Sequence, residues 1–143
     1  MKEHAMERLS EILAAKGIRA VAEDAEPIKE AWDLAFGEAV PDRDTVFYDE
    51  FRWHLFSYNK LPAKSGDEAR AALSEKKSQR LYLFWQNNDD AWEMRNAFDL
   101  DAADVDAMAE ATEADLYIFD AEGCRTYVVT HEPEQCGPYY FRW

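Results

Sequence analysis

The sequence predicts an α+β fold: a single domain over residues 1–143 whose antiparallel sheet is built from hairpins and packed by N-terminal and intervening helices. Three observations predict it. Apolar residues recur at helical spacing through the first third of the chain. Later apolar runs are short, rich in aromatic and β-branched residues, and bounded by turn residues, as paired strands require. At 143 residues, 48% of them apolar, the chain has material for one core, and neither an internal repeat nor a low-complexity linker divides it.

The opening "EHAMERLSEILAAKG" puts Met6, Leu9, Ile12 and Leu13 on one helical face, with Gly17 as its C-cap. "IRAVA" reads as a short strand. "PIKEAWDLAF" begins with Pro27 at a first helical position and lines up Ile28, Ala31, Trp32, Ala35 and Phe36 as a core stripe. In "FRWHLFSY", Phe51, Trp53 and Leu55 alternate with Arg52, His54 and Phe56, which predicts a strand. A loop with Pro62 and Gly66 follows. "GDEARAALSEKK" then forms a modest helix presenting Ala69, Ala72 and Leu73.

"RLYLFWQ" and "AWEMRNA" pair as strands across "NNDD", because Asn and Asp accept turn dihedrals and bond their own backbone. "LDAADVDAMAEATEA" is an acidic helix capped by Asp101 or Asp104, burying Val105, Met108 and Ala109. "DLYIFD" and "CRTYVVTH" make a second hairpin turning near Gly123. The ending "CGPYYFRW" places four aromatics in the last five positions, a composition that solvated tails lack. We expect it to turn at Gly137-Pro138 and to dock Tyr139, Tyr140 or Phe141 over the end of the sheet, which holds His131 and Glu132 rigidly.

Charge narrows the function classes. The net charge is −14, and residues 81–122 carry 12 acids against one base, Arg95. Such a field repels nucleic acid, whose binding needs Lys and Arg on phosphates, and steers a basic partner. Acids between Asp89 and Glu122 are therefore expected to form one continuous negative face. The longest apolar run, "LYLFW", is far short of a membrane span, and the charged N-terminus contains no apolar signal region. Two cysteines make no disulfide framework, so the expected compartment is the cytoplasm, with reduced thiols.

Several fragments occur together: "WHLFSY" at 53–58, "FWQNNDDAW" at 84–92, "DLYIFD" at 115–120 and "TYVVTHE" followed by "CGPYYF". Over about residues 50–141 this pattern resembles a family of small bacterial proteins whose domain is of unknown function. The family pattern is W-H-x-F-S-Y, Y-Q-x-x-D-D-A, T-Y-V-x-T-H-E and C-G-P-Y-F. It is matched by Trp53, His54, Phe56, Ser57 and Tyr58, by Gln86, Asp89, Asp90 and Ala91, by Thr126, Tyr127, His131 and Glu132, and by Cys136, Gly137, Pro138 and Tyr139. Trp85 stands where the pattern has Tyr, and Arg95 where it has an acid. The resemblance implies a fold rather than an activity.

Zinc requires convergent ligands at short paired spacings, and His54, Cys124, His131 and Cys136 offer none. No metal or other cofactor is expected. A Cys136 nucleophile with His131 as base needs a third group to orient the imidazole, which Asp89 or Asp90 supplies only if the first hairpin turn lies near the chain end. No Gly-rich oxyanion loop accompanies them. Aromatics among acids instead make a protein-binding surface. We therefore expect a non-enzymatic acidic module, an immunity-type inhibitor of a basic toxin or nuclease, recognising its partner through Trp53, His54, Gln86, Asp89, Asp90, Trp92, His131, Glu132 and Tyr139. The alternatives are a small enzyme or ligand-binding protein using His131, Cys136 and Asp89 or Asp90, and a mimic of nucleic-acid charge.

Overall fold

A computed structural model describes residues 3–143. Seven antiparallel strands form one sheet in the order β1-β4-β3-β5-β6-β7-β2, with helices on both faces. The fold is α+β, as expected.

Helix α1 (Glu3–Ala15) buries Leu9, Ile12 and Leu13 and ends at Gly17, whose φ of 69° lets the Ile18 N–H reach back to Leu13. β1 (Arg19–Asp24) follows as an exposed, charged edge strand. Helix α2 (Ala25–Ala35) starts two residues before the expected position: Asp24 caps it by accepting from Glu26 N–H, and Pro27 sits within the first turn, whose N–H groups need no partner inside the helix. Ile28, Trp32 and Phe36 are buried, whereas Ala31 faces solvent.

The strand expected over 51–58 is absent. Those residues form turns and one helical turn, α3 (His54–Ser57), closed by Ser57 N–H to Trp53 and Tyr58 N–H to His54. The alternation misled because a tight turn buries Trp53 and Phe56 at i and i+3 on one side, a spacing that a short apolar run shares with a strand. The following loop contains a two-residue strand, β2 (Lys64–Ser65), that no sequence pattern announced.

Helix α4 (Gly66–Glu75), the hairpin β3 (Arg80–Trp85) with β4 (Asp90–Arg95), and helix α5 (Ala102–Thr112) stand where expected. Asp101 and Asp104 both cap α5, each side chain accepting from the other's backbone N–H. β5 (Leu116–Asp120) and β6 (Arg125–Val129) form the second hairpin, and β3 pairs with β5. Its turn needs a glycine for a different reason from φ. A Cβ at Gly123 would lie 2.8 Å from Asp120 Oδ2, whereas Cys124 is the left-handed residue at φ 47°.

The C-terminal aromatics do not close over the end of the sheet. They enter it as β7 (Tyr139–Arg142), paired on one side with β6 and on the other with β2. The reason lies in the alternation of the two cores. Leu83, Trp85, Leu116, Ile118, Tyr127, Val129 and Tyr140 pack under α1, α4 and α5. Phe84, Tyr117, Phe119, Val128, Tyr139 and Phe141 pack under α2, α3 and the turns between them. A tail with three successive aromatics, Tyr139 to Phe141, fits a strand buried on both faces better than a cap.

Candidate functional site

The C-terminal ends of β3 and β6 and the N-terminal ends of β5 and β7 meet at one end of the sheet, since Trp85, Leu116 and Val129 lie in register and Val128 faces Tyr139. Just beyond the strands stand Gln86, Asp115 and His131. Asp115 is buried, and its Oδ1 accepts from the His131 backbone N–H at 2.6 Å and from the ring Nδ1 at 2.8 Å. A carboxylate accepting from Nδ1 fixes a proton on that nitrogen and the orientation of the ring. The nearest partner of Nε2 is Glu132 Oε1 at 3.4 Å.

Phe51 lies between two histidines, 5.3 Å from the His131 ring and 5.1 Å from that of His54. His54 Nδ1 is 2.6 Å from the Val46 carbonyl, so it donates there, and the exposed Tyr58 packs edge-on to the ring. Trp53 and Tyr139 stack underneath, both buried. The Trp53 indole N–H is buried without a hydrogen-bond partner among the described residues.

A polar network beneath fixes this segment. Arg52 donates twice to Asp33, at 2.8 and 3.2 Å, and Tyr48 donates to the same carboxylate. Burial, with the Asp33 charge, drives the Tyr48 hydroxyl far above its ordinary range, so it remains a donor. Gln86 Oε1 accepts from Arg52 N–H at 3.0 Å and from the Tyr117 hydroxyl, which itself accepts from Trp53 N–H at 3.1 Å. Gln86 is therefore a positioning residue for the chain at 52–54.

The chain matches the family model described as "Domain of unknown function (DUF4275)" over residues 10–140. The chain belongs to this family. No curated protein and no solved structure matches the chain at a significant level. The family match takes in β1 to β6, the first half of β7 and the whole candidate site, and it reaches further toward the N-terminus than the sequence fragments at 50–141.

Within this family fold, the expected site residues divide into two sets. His54, His131 and Glu132 share one surface, supported from below by Trp53, Gln86 and Tyr139, which are buried. Trp92 is buried in the opposite core against Trp85. Asp89 lies in the β3–β4 turn, which Lys29 fastens through the Gln86 and Asn88 carbonyls, and Asp90 opens β4. β4 is three strand spacings from β6, about 14 Å, so these acids do not orient His131. Asp115 does. Its sequence signal is an acid standing directly before the apolar run Leu116 to Phe119.

Cys136 donates its thiol proton to Glu132 at 3.8 Å. Burial first, and then the Glu132 charge, push that thiol up, which disfavours the reactive thiolate. Among the described residues no hydroxyl or thiol bonds His131 Nε2, and no cluster of His, Cys, Asp and Glu has metal-binding form.

Of the twelve acids of 81–122, five meet bases from elsewhere in the chain: Asp101 and Asp104 face Lys16, Asp106 faces Arg70, Asp120 faces Arg125 and Glu122 faces Arg80. Asp44, Asp49 and Glu50, without an ion pair among the described residues, stand beside the site around a hollow of about 190 Å³ that Phe47 also lines. Phe47 is 57% exposed at a φ of 59°, a backbone region that costs a bulky residue energy. The stretch "DRDTVFYDEF" held that signal, a phenylalanine among acids and turn residues.

Proposed function

We propose that this protein is a non-enzymatic protein-recognition module for a basic partner, working as an immunity-type inhibitor of a basic toxin or nuclease. Its contact face comprises Phe47, His54, Tyr58, His131 and Glu132. The observation that carries this reading is Phe47: a large ring held in solvent on a strained backbone, with Asp44, Asp49 and Glu50 beside it and without an ion pair among the described residues. An aromatic anchor among acids supplies affinity from the ring and a fast, salt-sensitive approach from the charge. The buried network below holds the face rigid, which lowers the ordering cost of binding.

The test is affinity capture from cells of the source organism with the native protein and with Phe47→Ala, at low and at high salt. The expected result is a basic protein that the native chain retains, that Phe47→Ala loses and that high salt releases. The inhibitor reading further expects that captured protein to be toxic or nucleolytic alone and silent with its partner. Equal capture by both chains, or capture that is indifferent to salt, overturns the proposal.

A second reading rests on the Asp115–His131 pair. It borders a cleft of about 640 Å³ lined by Glu110, Glu113 and Glu134, whose acidity suits a small cationic ligand. Protection of His131 ring resonances by a polyamine, with no effect of Phe47→Ala, favours that reading over the first.

A further inference from the structure

Among the described residues most cations of this acidic chain are engaged. Arg52 pairs with Asp33, Lys60 with Asp42, Arg70 with Asp67 and Asp106, and Arg125 with Asp120. Lys29 and Arg43 bond backbone carbonyls. Among the described residues Arg19, Lys64, Lys76, Lys77 and Arg142 have side chains with neither an ion pair nor a hydrogen bond, although the chain carries 30 acids against 16 Lys and Arg. All of these but Arg19 line one groove of about 610 Å³, together with Pro62, Glu75 and the strand β7. Arg19 stands on β1, at the far edge of the sheet.

The same groove runs along an open strand edge. β2 pairs only with Tyr139 and Tyr140. Trp143 N–H points to Cys124 on the β6 side and Gly66 N–H meets the Pro138 carbonyl on the β2 side, so alternation turns the Arg142 N–H and C=O outward past the end of β2. Continued register would set Pro62 opposite Arg142, and Pro62 has no N–H to give. The edge therefore stays open where the unpaired bases gather.

We propose that this groove docks an extended acidic peptide segment of a partner protein, laid along β7 with its carboxylates on Lys64, Lys76, Lys77 and Arg142. This is charge complementarity combined with strand addition. A short peptide meets mainly the charges within about 8 Å, the screening length near physiological salt, whereas a nucleic acid meets the repulsion of the whole −14 chain along its length. That difference selects the peptide.

The experiment measures anisotropy of a labelled peptide of alternating Glu and Val on the full chain. The native protein should bind it, and Lys76→Glu with Lys77→Glu, or Arg142→Glu, should weaken binding tenfold or more while circular dichroism and melting temperature hold. Arg142→Ala, which removes charge without reversing it, should weaken it less. Arg19→Glu makes the same charge change at the opposite edge and should leave binding within twofold. No binding by the native chain, an equal loss with Arg19→Glu, or tighter binding of an oligothymidylate of matched charge overturns the proposal.

Discussion

Asp115 holds His131 by two hydrogen bonds to a single oxygen, one from the backbone at 2.6 Å and one from the ring at 2.8 Å. Both end on a carboxylate that is itself buried, so the pair fixes the imidazole in place and in tautomer. Removing the carboxylate frees the ring and leaves the backbone N–H without its partner. Asp115→Ala should lower stability by about 1–3 kcal/mol, read from the urea midpoint. Nitrogen-15 spectra should show the native ring protonated on Nδ1 and the variant ring redistributed toward Nε2–H. An unchanged tautomer would mean that the ring is held by something other than Asp115.

Phe47 should separate stability from recognition. Its φ of 59° favours glycine, and its ring gains little burial. Phe47→Gly is therefore expected to leave thermal stability equal or raised, by up to about 1 kcal/mol, while partner capture falls. A marked loss of stability would show that the ring packs rather than waits for a partner.

Phe141 tests the C-terminal strand. It is buried against Phe36, Phe56 and Trp143, with ring centroids 5.9, 6.0 and 5.0 Å away. Phe141→Ala should cost about 3–5 kcal/mol. Deleting residues 137–143 removes all of β7 and should lower the melting temperature by still more, or prevent folding. A truncated chain that melts like the native one would exclude a stabilising seventh strand.

Asp120 governs part of the acid response. Burial alone pushes its carboxyl up, but hydrogen bonds from Ser78, the Gly123 N–H and Arg125 outweigh burial and hold it below the ordinary carboxylate value. A depressed folded value means that the stabilisation is fully present above the unfolded pKa of about 3.9 and is lost as pH falls through the folded one. Asp120→Asn should make the decline in stability below about pH 4 shallower. At neutral pH it should cost about 3–5 kcal/mol, because the Arg125 guanidinium stays buried and loses its counterion. Parallel acid titrations of the two chains would contradict this assignment.

Much of the fold follows from local chemistry. Hydrophobic period separates α1, α2, α4 and α5 from the strands of both hairpins, because one helix face or one sheet face must be apolar whatever the chain later packs against. Turn residues place the hairpin at 86–89, and carboxylates at 101 and 104 cap α5 through bonds only a few residues long. Ambiguity enters where the apolar run is short. Over 51–58 a strand and a helical turn bury comparable side chains, and Gln86 and Tyr117, distant in sequence, settle the matter by bonding Arg52 and Trp53.

The sequence by itself determined the helices, the two hairpins, the buried character of the C-terminal aromatics and the overall excess of acid, since each rests on neighbours along the chain. Only the tertiary structure decided that those aromatics form a strand, that Asp115 rather than Asp89 or Asp90 holds His131, and which charges remain unpaired. Strand neighbours and ion pairs join residues far apart in sequence, such as Arg52 with Asp33 and Arg70 with Asp106. A count of charges cannot show which of them meet. Five of the acids expected to form a face meet bases folded back onto them, while charges beside Phe47 and in the groove beside Arg142 have no such partner among the described residues.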